Sequence, residues 1–295
     1  MNTINTRAPY ANEIPMLQKI WKSGFGDNPD IELFFDHYYS PELCVVACAN
    51  DYPAGAGYLI PLGDFVCDDK RIPCAYIYSI AVLAEYRGLG LGNAVVRELI
   101  DRGHTAGYPL VVLSPADDTL FEYYAARTKL KEWFYINEAI TQNPDNESSS
   151  SAASDTRLSE ITAEDYAALR ARLLNGTPHI EHGPRALEYQ QLLCNCYGGG
   201  LFKIELNGKE CCAAVEIESN KQIALKELLA PDELLSGALS ALRTRFPSSK
   251  YTVRVPIQSM TNKTSIRRFA MVAATNADFL ACDFATSPWF GPAFD

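Results

Sequence analysis

The sequence predicts an α+β chain of two tandem domains, and three observations carry that prediction. Apolar runs with strand character alternate with amphipathic helical stretches throughout the 295 residues. The segment from Asn143 to Asp155, NPDNESSSSAASD, offers almost nothing to bury and has the makeup of a flexible connector. On both sides of it the order helix, helix, meander, helix, strand can be read. The expected division is therefore residues 1–142, a linker at 143–155, and residues 156–295.

In the first half, Ala11 to Ser23 places Ile14, Leu17, Ile20 and Trp21 at helical spacing, and Asp30 to Tyr39 reads as a second helix. Strands are expected at Leu43 to Ala49, Gly55 to Pro61 and Ala75 to Val82, with a turn-rich Asn50-Asp51-Tyr52-Pro53 between the first two. Asn93 to Thr105 gathers Val95, Val96, Leu99 and Ile100 on one helical face. Leu110 to Leu113 is a short strand, Asp118 can cap a helix running through Leu120, Phe121 and Tyr124, and Trp133 to Ile140 is a closing strand.

In the second half, Thr162-Ala163-Glu164-Asp165 resembles a capping box that starts a helix ending near Leu174, and another helix covers Arg185 to Cys196. Asn207-Gly208 joins strands at Leu201 to Leu206 and Cys211 to Ile217 as a hairpin. Gln222 to Leu229 is a third strand and Asp232 to Phe246 a helix. Further strands are expected at Tyr251 to Val255, Phe269 to Ala274 and Trp289 to Phe294.

Composition narrows the function. The chain holds 26 Lys+Arg against 36 Asp+Glu, a net charge of −10, which argues against a nucleic-acid partner because a duplex demands clustered cations. The excess is −7 in residues 1–142 and −3 in residues 143–295. No basic segment followed by an apolar stretch opens the chain and no run of about 18 apolar residues occurs, so a cytoplasmic protein with no membrane partner is expected. Nine cysteines, an odd number without CxxC spacing and mostly in apolar runs, read as reduced, core-filling thiols.

The segment most suggestive of chemistry is Arg87-Gly88-Leu89-Gly90-Leu91-Gly92-Asn93, which follows a strand and opens a helix. Alternate glycines let backbone N–H groups approach an anion, and the helix N-terminus favours negative charge, so the segment reads as a phosphate or pyrophosphate cradle. It also reads as a tight strand-to-helix turn. A Walker loop needs Lys where Asn93 stands. A dinucleotide fingerprint needs a third glycine where Asn93 or Val95 stands.

This loop resembles the acyl-CoA loop of the GNAT acetyltransferases, [Q/R]-x-x-G-x-[G/A], with Arg87, Gly90 and Gly92 in register. The similarity extends from Ala81-Val82-Leu83-Ala84-Glu85-Tyr86 through Leu113-Ser114-Pro115-Ala116 to Leu120-Phe121-Glu122-Tyr123-Tyr124. Its specific part covers about residues 74–125. The chain is also similar to the Eis-like group, in which a second, degenerate GNAT-like domain follows the active one, and it is too short for that group's additional sterol-carrier-like domain. The resemblance implies a mixed β-sheet flanked by helices in α/β/α layers, twice over, with acetyl-CoA as cosubstrate and no metal. It implies that Ile80, Ala81 and Val82 hold the pantetheine arm along the strand, and that Arg87, Gly88, Leu89, Gly90, Leu91, Gly92 and Asn93 bind the pyrophosphate. It further implies that Tyr124 faces the thioester sulfur and that the C-terminal carboxylate of Asp295 reaches the catalytic site. One departure stands out: family members continue from this Tyr into Gly-Phe, whereas here Ala125-Ala126-Arg127-Thr128-Lys129-Leu130 follows.

Elementary chemistry sets the demands on such a site. An amine of lysine type is neutral in only about 1 molecule in 2,500 at pH 7, a cost of roughly 4.6 kcal/mol. The leaving thiolate resembles Cys, a better acid than free Tyr by about 2 kcal/mol, so Tyr124 acts mainly as a hydrogen-bond donor to developing charge. No carboxylate on the strand at Ala75 to Val82 suits a general base, and Glu85 and Glu122 read as solvated charges. His179 and His182, in a loop-like stretch, with Cys194 and Cys196, have spacing unlike a zinc site. Tyr86, Tyr123 and Trp133 read as core or cleft-wall aromatics.

In the second half the strand-to-helix junction is Ala230-Pro231-Asp232-Glu233, whose carboxylates would repel a pyrophosphate. That half is expected to lack a cradle and to wall the acceptor cleft, mediate homo-oligomer contacts or bind a ligand of its own. Two functions follow. One is an N-acetyltransferase that moves acetyl from acetyl-CoA directly to an amine in a ternary complex, the acceptor being a cationic small molecule or a peptide. The other is a non-catalytic CoA-binding or partner-binding module.

Overall fold

The computed structural model describes residues 3–142, 156–259, 265–276, 278 and 287–294. The chain forms two compact units, the first of Met1–Phe65, Arg71–Trp133 and Ala270–Asp283, the second of Val66–Lys70, Phe134–Phe269 and Phe284–Asp295. The expected linker at 143–155 lies outside the described residues, as do Cys282 and Asp295. Unlike a division at that linker, residues 134–142 belong to the second unit, and residues 270–283 return to the first. A strand joins whichever sheet completes its hydrogen bonds, which apolar periodicity does not reveal.

The first unit is built from β1 (Ile4–Arg7), α1 (Ile14–Phe25), α2 (Asp30–His37), β2 (Cys44–Ala49), β3 (Tyr52–Cys67), β4 (Lys70–Val82), α3 (Leu91–Thr105), β5 (Leu110–Leu113) and α4 (Thr119–Arg127). Every residue of β2 is buried, which is why Cys44-Val45-Val46-Ala47-Cys48 is an uninterrupted apolar run. Asn50 and Asp51 both take positive φ (50° and 65°), making the tight turn that reverses β2 into β3. α1 buries Leu17, Ile20 and Trp21. Trp21 packs with Phe34 of α2 and with Tyr58 and Tyr78 of the sheet, at ring separations of 5.1, 5.4 and 5.4 Å. At α4 the expected cap is displaced by one residue: Asp118 makes no cap, and Asp117 Oδ1 accepts from the Thr119 and Leu120 N–H groups.

The second unit takes β6 (Lys131–Gln142) over its pairing residues, then β7 (Thr156–Glu160), α5 (Ala163–Leu173), β8 (His179–His182), α6 (Pro184–Cys196), β9 (Gly200–Leu206), β10 (Lys209–Ser219), β11 (Gln222–Leu229), α7 (Leu235–Arg245) and β12 (Lys250–Val255). Its sheet runs β6-β12-β11-β10-β9-β7, with β11 parallel to β12. β13 (Ser265–Ala274) crosses into the first unit, where Met271–Ala274 pair antiparallel with Leu110–Leu113 of β5. Thr162 caps α5 through the Asp165 N–H as expected, and Asn207-Gly208 turns at φ 52° and 73°.

Three short strands, β1, β7 and β8, carry no periodic signal and were not expected. β8 in particular replaces the loop expected around His179 and His182. The C-terminal run was expected as a strand. It makes one bridge, His179 to Trp289, and otherwise crosses the second unit as buried coil, with Trp289, Phe290, Ala293 and Phe294 all under 5% exposed. None of the eight described cysteines is in a disulfide, and seven of them are buried.

A buried ion pair anchors this tail. Arg170 (2% exposed) and Glu227 (0%) meet at 3.0 Å, and Glu227 also accepts from the Tyr166 hydroxyl and the Trp289 indole N–H, both at 2.6 Å. Arg170 donates to the Ile180 carbonyl at 2.6 Å. Gly291, at φ 88°, leaves room for the pair, since a Cβ there would fall 2.4 Å from Arg170 Nη2. Removing one partner leaves a buried charge uncompensated, so Glu227→Ala is expected to cost about 3–5 kcal/mol in urea unfolding. His182 donates from Nε2 to the Pro292 carbonyl at 2.9 Å, and burial holds His182 well below its usual pKa and His179 at about 4. In the unfolded chain these imidazoles titrate near 6.5 and bind protons that the folded chain refuses. Stability is therefore expected to be unaffected by these groups above about pH 6.5 and to fall as pH drops toward 4, which thermal unfolding across that range would show.

Candidate active site

The site is organised by the parting of two parallel strands. β4 pairs with β5 only over Cys74↔Leu110 to Ile77↔Leu113. β5 ends there at Ser114-Pro115, and proline has no N–H with which to continue a ladder. Two residues beyond Ile77, Ser79 takes φ 49°, a left-handed conformation unusual for a residue with a side chain and a kink in β4. Its hydroxyl is buried without a hydrogen-bond partner among the described residues.

The kink decides which backbone groups face the opening. The Leu83 N–H donates to the Ala54 carbonyl of β3 at 2.8 Å. Backbone groups alternate sides along a strand, so those of Ala81 also face β3 and those of Ile80 and Val82 face the side that β5 has left. Ile80 and Val82 are half-buried. Ala81 packs instead beneath α1, where a Cβ on Gly24 would lie 2.9 Å from its methyl.

The predicted cradle follows. Gly88 and Gly90 take φ 81° and 91°, and a Cβ at either would project into open space. Gly90 is the N-cap of α3 and no side chain caps the helix. Its first internal bond runs from the Ala94 N–H to the Gly90 carbonyl at 3.1 Å, which leaves the N–H groups of Leu91, Gly92 and Asn93 at the open end. No acidic residue stands in that first turn. Asn93 Oδ1 is buried there without a hydrogen-bond partner among the described residues. The glycines, free donors and helix dipole fit a pyrophosphate.

Two features hold the cradle in place. Arg87 turns its guanidinium back into the protein, donating from Nη2 to the Ser23 carbonyl in the last turn of α1 (2.7 Å) and from Nε to the Val82 carbonyl (3.2 Å). Its side chain thus ties the loop to β4 and to the negative end of a helix. α3 lies close on the sheet because Gly57 of β3 faces Val95, where a Cβ would fall 2.7 Å from Cγ1, and Gly103 faces Val111 at 2.6 Å.

Tyr124 stands on the inner side of α4, 8% exposed, its ring 5.4 Å from that of Tyr123. Its hydroxyl makes no hydrogen bond to another described residue, and burial raises its pKa to about 12. The missing Gly-Phe has a local substitute: the Thr128 N–H and hydroxyl both donate to the Tyr124 carbonyl at 2.9 and 2.7 Å, ending α4, and Leu130 is buried just beyond. Asp295 lies outside the described residues. Ser79, Ser23 and Thr128 escaped sequence reading because a kinked φ, a carbonyl acceptor and a local cap leave no residue-type signature.

The second unit repeats the scaffold without the cradle. β11 pairs with β12 in parallel up to Leu225↔Val253, then bulges at Lys226, and leads through a 3-10 turn at Asp232–Leu234 into α7. Lys226 pairs with Glu216 at 3.1 Å. At the helix start Glu233 pairs with Lys209 at 2.6 Å, and no glycine lies between β11 and α7. His179 bonds the Thr177 carbonyl, and no group of three or more metal-ligating side chains occurs among the described residues. No described helix is long and apolar enough to cross a membrane.

Fold and site together define a class: an α+β domain in which a strand that has parted from its parallel neighbour leads through open glycines into a helix with no side-chain N-cap. Residues 13–125 match the model of the acetyltransferase (GNAT) family. No curated protein matches the sequence. The fold is that of solved GNAT structures. A GCN5-related N-acetyltransferase from Anabaena variabilis is 15% identical with a TM-score of 0.68, over 93% of this chain and 74% of that one. One from Kribbella flavida is 13% identical at 0.64, over 92% and 71%. Eis1 from Mycobacterium abscessus is 12% identical at 0.62, over 93% and 75%.

A pKa of about 12 keeps the Tyr124 hydroxyl protonated throughout the usual assay range. Spectroscopic titration of the wild type against Tyr124→Phe is expected to show no tyrosinate from this residue below about pH 11.

Proposed function

We propose that the chain is an N-acetyltransferase that moves acetyl from acetyl-CoA directly to an amine held beside it in a ternary complex. The observation that carries this reading is the edge of β4 at Ile80 and Val82, beyond its pairing with β5, leading to an α3 N-terminus with no side-chain cap and with open glycines. An extended amide-bearing arm pairs with such an edge, and its pyrophosphate meets the helix dipole.

CoA would supply the activated thioester, and the chain's own residues hold and polarise it. Attack by a neutral amine breaks the C–S bond and leaves a thiolate of about 8.5 pKa. With Tyr124 near 12, full proton transfer to that sulfur is uphill by about 5 kcal/mol, more than for an exposed tyrosine. Tyr124 therefore serves as a hydrogen-bond donor to the developing charge, and the thiolate takes its proton from solvent or the ammonium product. The buried cysteines are poor acyl carriers, since burial raises Cys44 to about 12, which favours direct transfer over a covalent acyl-enzyme. The −7 balance of residues 1–142 suits a cationic amine, whether a small molecule or a peptide. The rival, a non-catalytic CoA-binding module, rests on the missing Gly-Phe and the lack of an identified base; at the first of these positions Thr128 and Leu130 close α4.

Tyr124→Phe is expected to lower kcat by about 10- to 1,000-fold with little change in acetyl-CoA affinity. Thiol release across an amine panel, with calorimetry for binding, checks both halves. Unchanged turnover removes Tyr124 from the mechanism, and failure of acetyl-CoA to bind at millimolar concentration removes the enzyme reading.

A further inference from the structure

Ser79 departs twice from what the fold alone requires. Its φ of 49° is left-handed, a conformation that glycine adopts without strain and a residue with a Cβ does not. Its hydroxyl oxygen is buried with no hydrogen-bond partner among the described residues, which is unfavourable for a polar atom. The kink in β4 accounts for the first departure and leaves the second without a cause.

The place of that hydroxyl says what it meets. Continuing the register of β4 and β5 from Ile77↔Leu113 would set Ser79 opposite Pro115, so it stands where the two strands part. With a pantetheine arm along Ile80 and Val82 and its pyrophosphate at the start of α3, as proposed above, Ser79 is next in line at the thioester end. Beyond the arm's last amide nitrogen, two methylenes and the sulfur precede the carbonyl carbon, a length of between one and two residues of strand at about 3.3 Å each. Ser79 as a whole is half-buried although its oxygen is covered, so part of the residue faces the opening. One turn about χ1, between staggered wells, brings the hydroxyl to that side, and no hydrogen bond to a described residue has to break first.

We infer that the Ser79 hydroxyl is a catalytic donor to the thioester carbonyl oxygen, acting on a different atom from Tyr124, which serves the sulfur. The inference rests on the acyl-CoA reading above and adds the side chain that meets the oxygen. As the neutral amine nitrogen bonds to the carbonyl carbon, the C=O π pair moves onto oxygen. The Ser79 O–H strengthens its hydrogen bond to that oxygen and keeps its proton. The pair returns as the C–S bond breaks, the thiolate leaves, and the ammonium proton passes to solvent or to the thiolate. A donor aimed at charge that develops in the transition state raises kcat rather than affinity.

Ser79→Gly tests this with the backbone kept, because glycine adopts φ 49° freely and only the hydroxymethyl group is lost. The substitution is expected to lower kcat by about 100- to 1,000-fold, with acetyl-CoA affinity by calorimetry within about threefold of wild type and thermal stability not lowered. A second measurement is independent of turnover: the infrared carbonyl stretch of isotope-labelled acetyl-CoA, bound to the full chain without an amine. It is expected at higher frequency in Ser79→Gly than in wild type, since a hydrogen bond to a carbonyl oxygen weakens the C=O bond. Normal kcat in Ser79→Gly shows that the serine only bends the strand and overturns the inference, as does a fall in kcat with the carbonyl frequency unmoved. Either result leaves the acyl-CoA reading standing, because the wild type still binds acetyl-CoA. Failure of the wild type to bind it overturns both.

Discussion

The site depends on one constraint, that β4 leaves β5 after only four paired residues. A strand that stayed paired would spend the hydrogen bonds of Ile80 and Val82 on its neighbour, and no edge would remain for a ligand. Pro115 stops β5 from following, and the left-handed Ser79 bends β4 away at an expense of about 1–3 kcal/mol in backbone strain. Tight packing around the kink offsets that strain. α1 presses on β4 at Gly24, and α3 presses on β3 at Gly57, so the strand end and the helix N-terminus are fixed against one another to within a methyl group.

Electrostatics act at shorter range than the net charge suggests. An acidic domain repels a polyanion at a distance, yet within the cradle only N–H donors, a helix dipole and an acid-free first turn meet it. The loop's one cation, Arg87, is turned inward onto two carbonyls, so it shapes the loop rather than neutralising the ligand. An anion at the cradle is thus met by backbone N–H groups and a helix dipole rather than by a side-chain cation of the loop. The glycines of the loop are legible as a motif, whereas the turn of Arg87 onto Ser23 and Val82 is visible only once helix and strand are packed.

That division also describes how far the sequence could be read. The helices and strands with strong apolar periodicity, such as β2, β5, β11 and α3, lie where periodicity puts them, because a face that must be buried leaves a repeating mark. The cradle could be read because glycine is the residue type that its positive φ values require. β1, β7 and β8 left no mark, being four or five residues long and made mostly of polar residues. The Ser79 kink left none either, since nothing about serine announces a left-handed backbone. The crossing of β13 into the first unit and the buried course of Trp289 to Phe294 follow from long-range pairing, with Glu227 lying 62 residues from the indole it binds.

The second unit shows the same parting of strands put to another use. There too the parallel pair ends after four residues and the strand bulges, at Lys226. The groups at the bulge are charged and turned inward: Lys226 onto Glu216, and Glu227 onto Arg170, Tyr166 and Trp289. Buried charges of this kind contribute little net stability compared with apolar side chains of similar size, but they tolerate only partners with matching geometry. A bulge that in the first unit leaves a backbone edge free is here committed to holding the chain's own C-terminal segment. Loss of the glycine cradle and gain of this anchor are consistent with each other, since an interior filled by Trp289 and Phe290 has no use for an open phosphate loop.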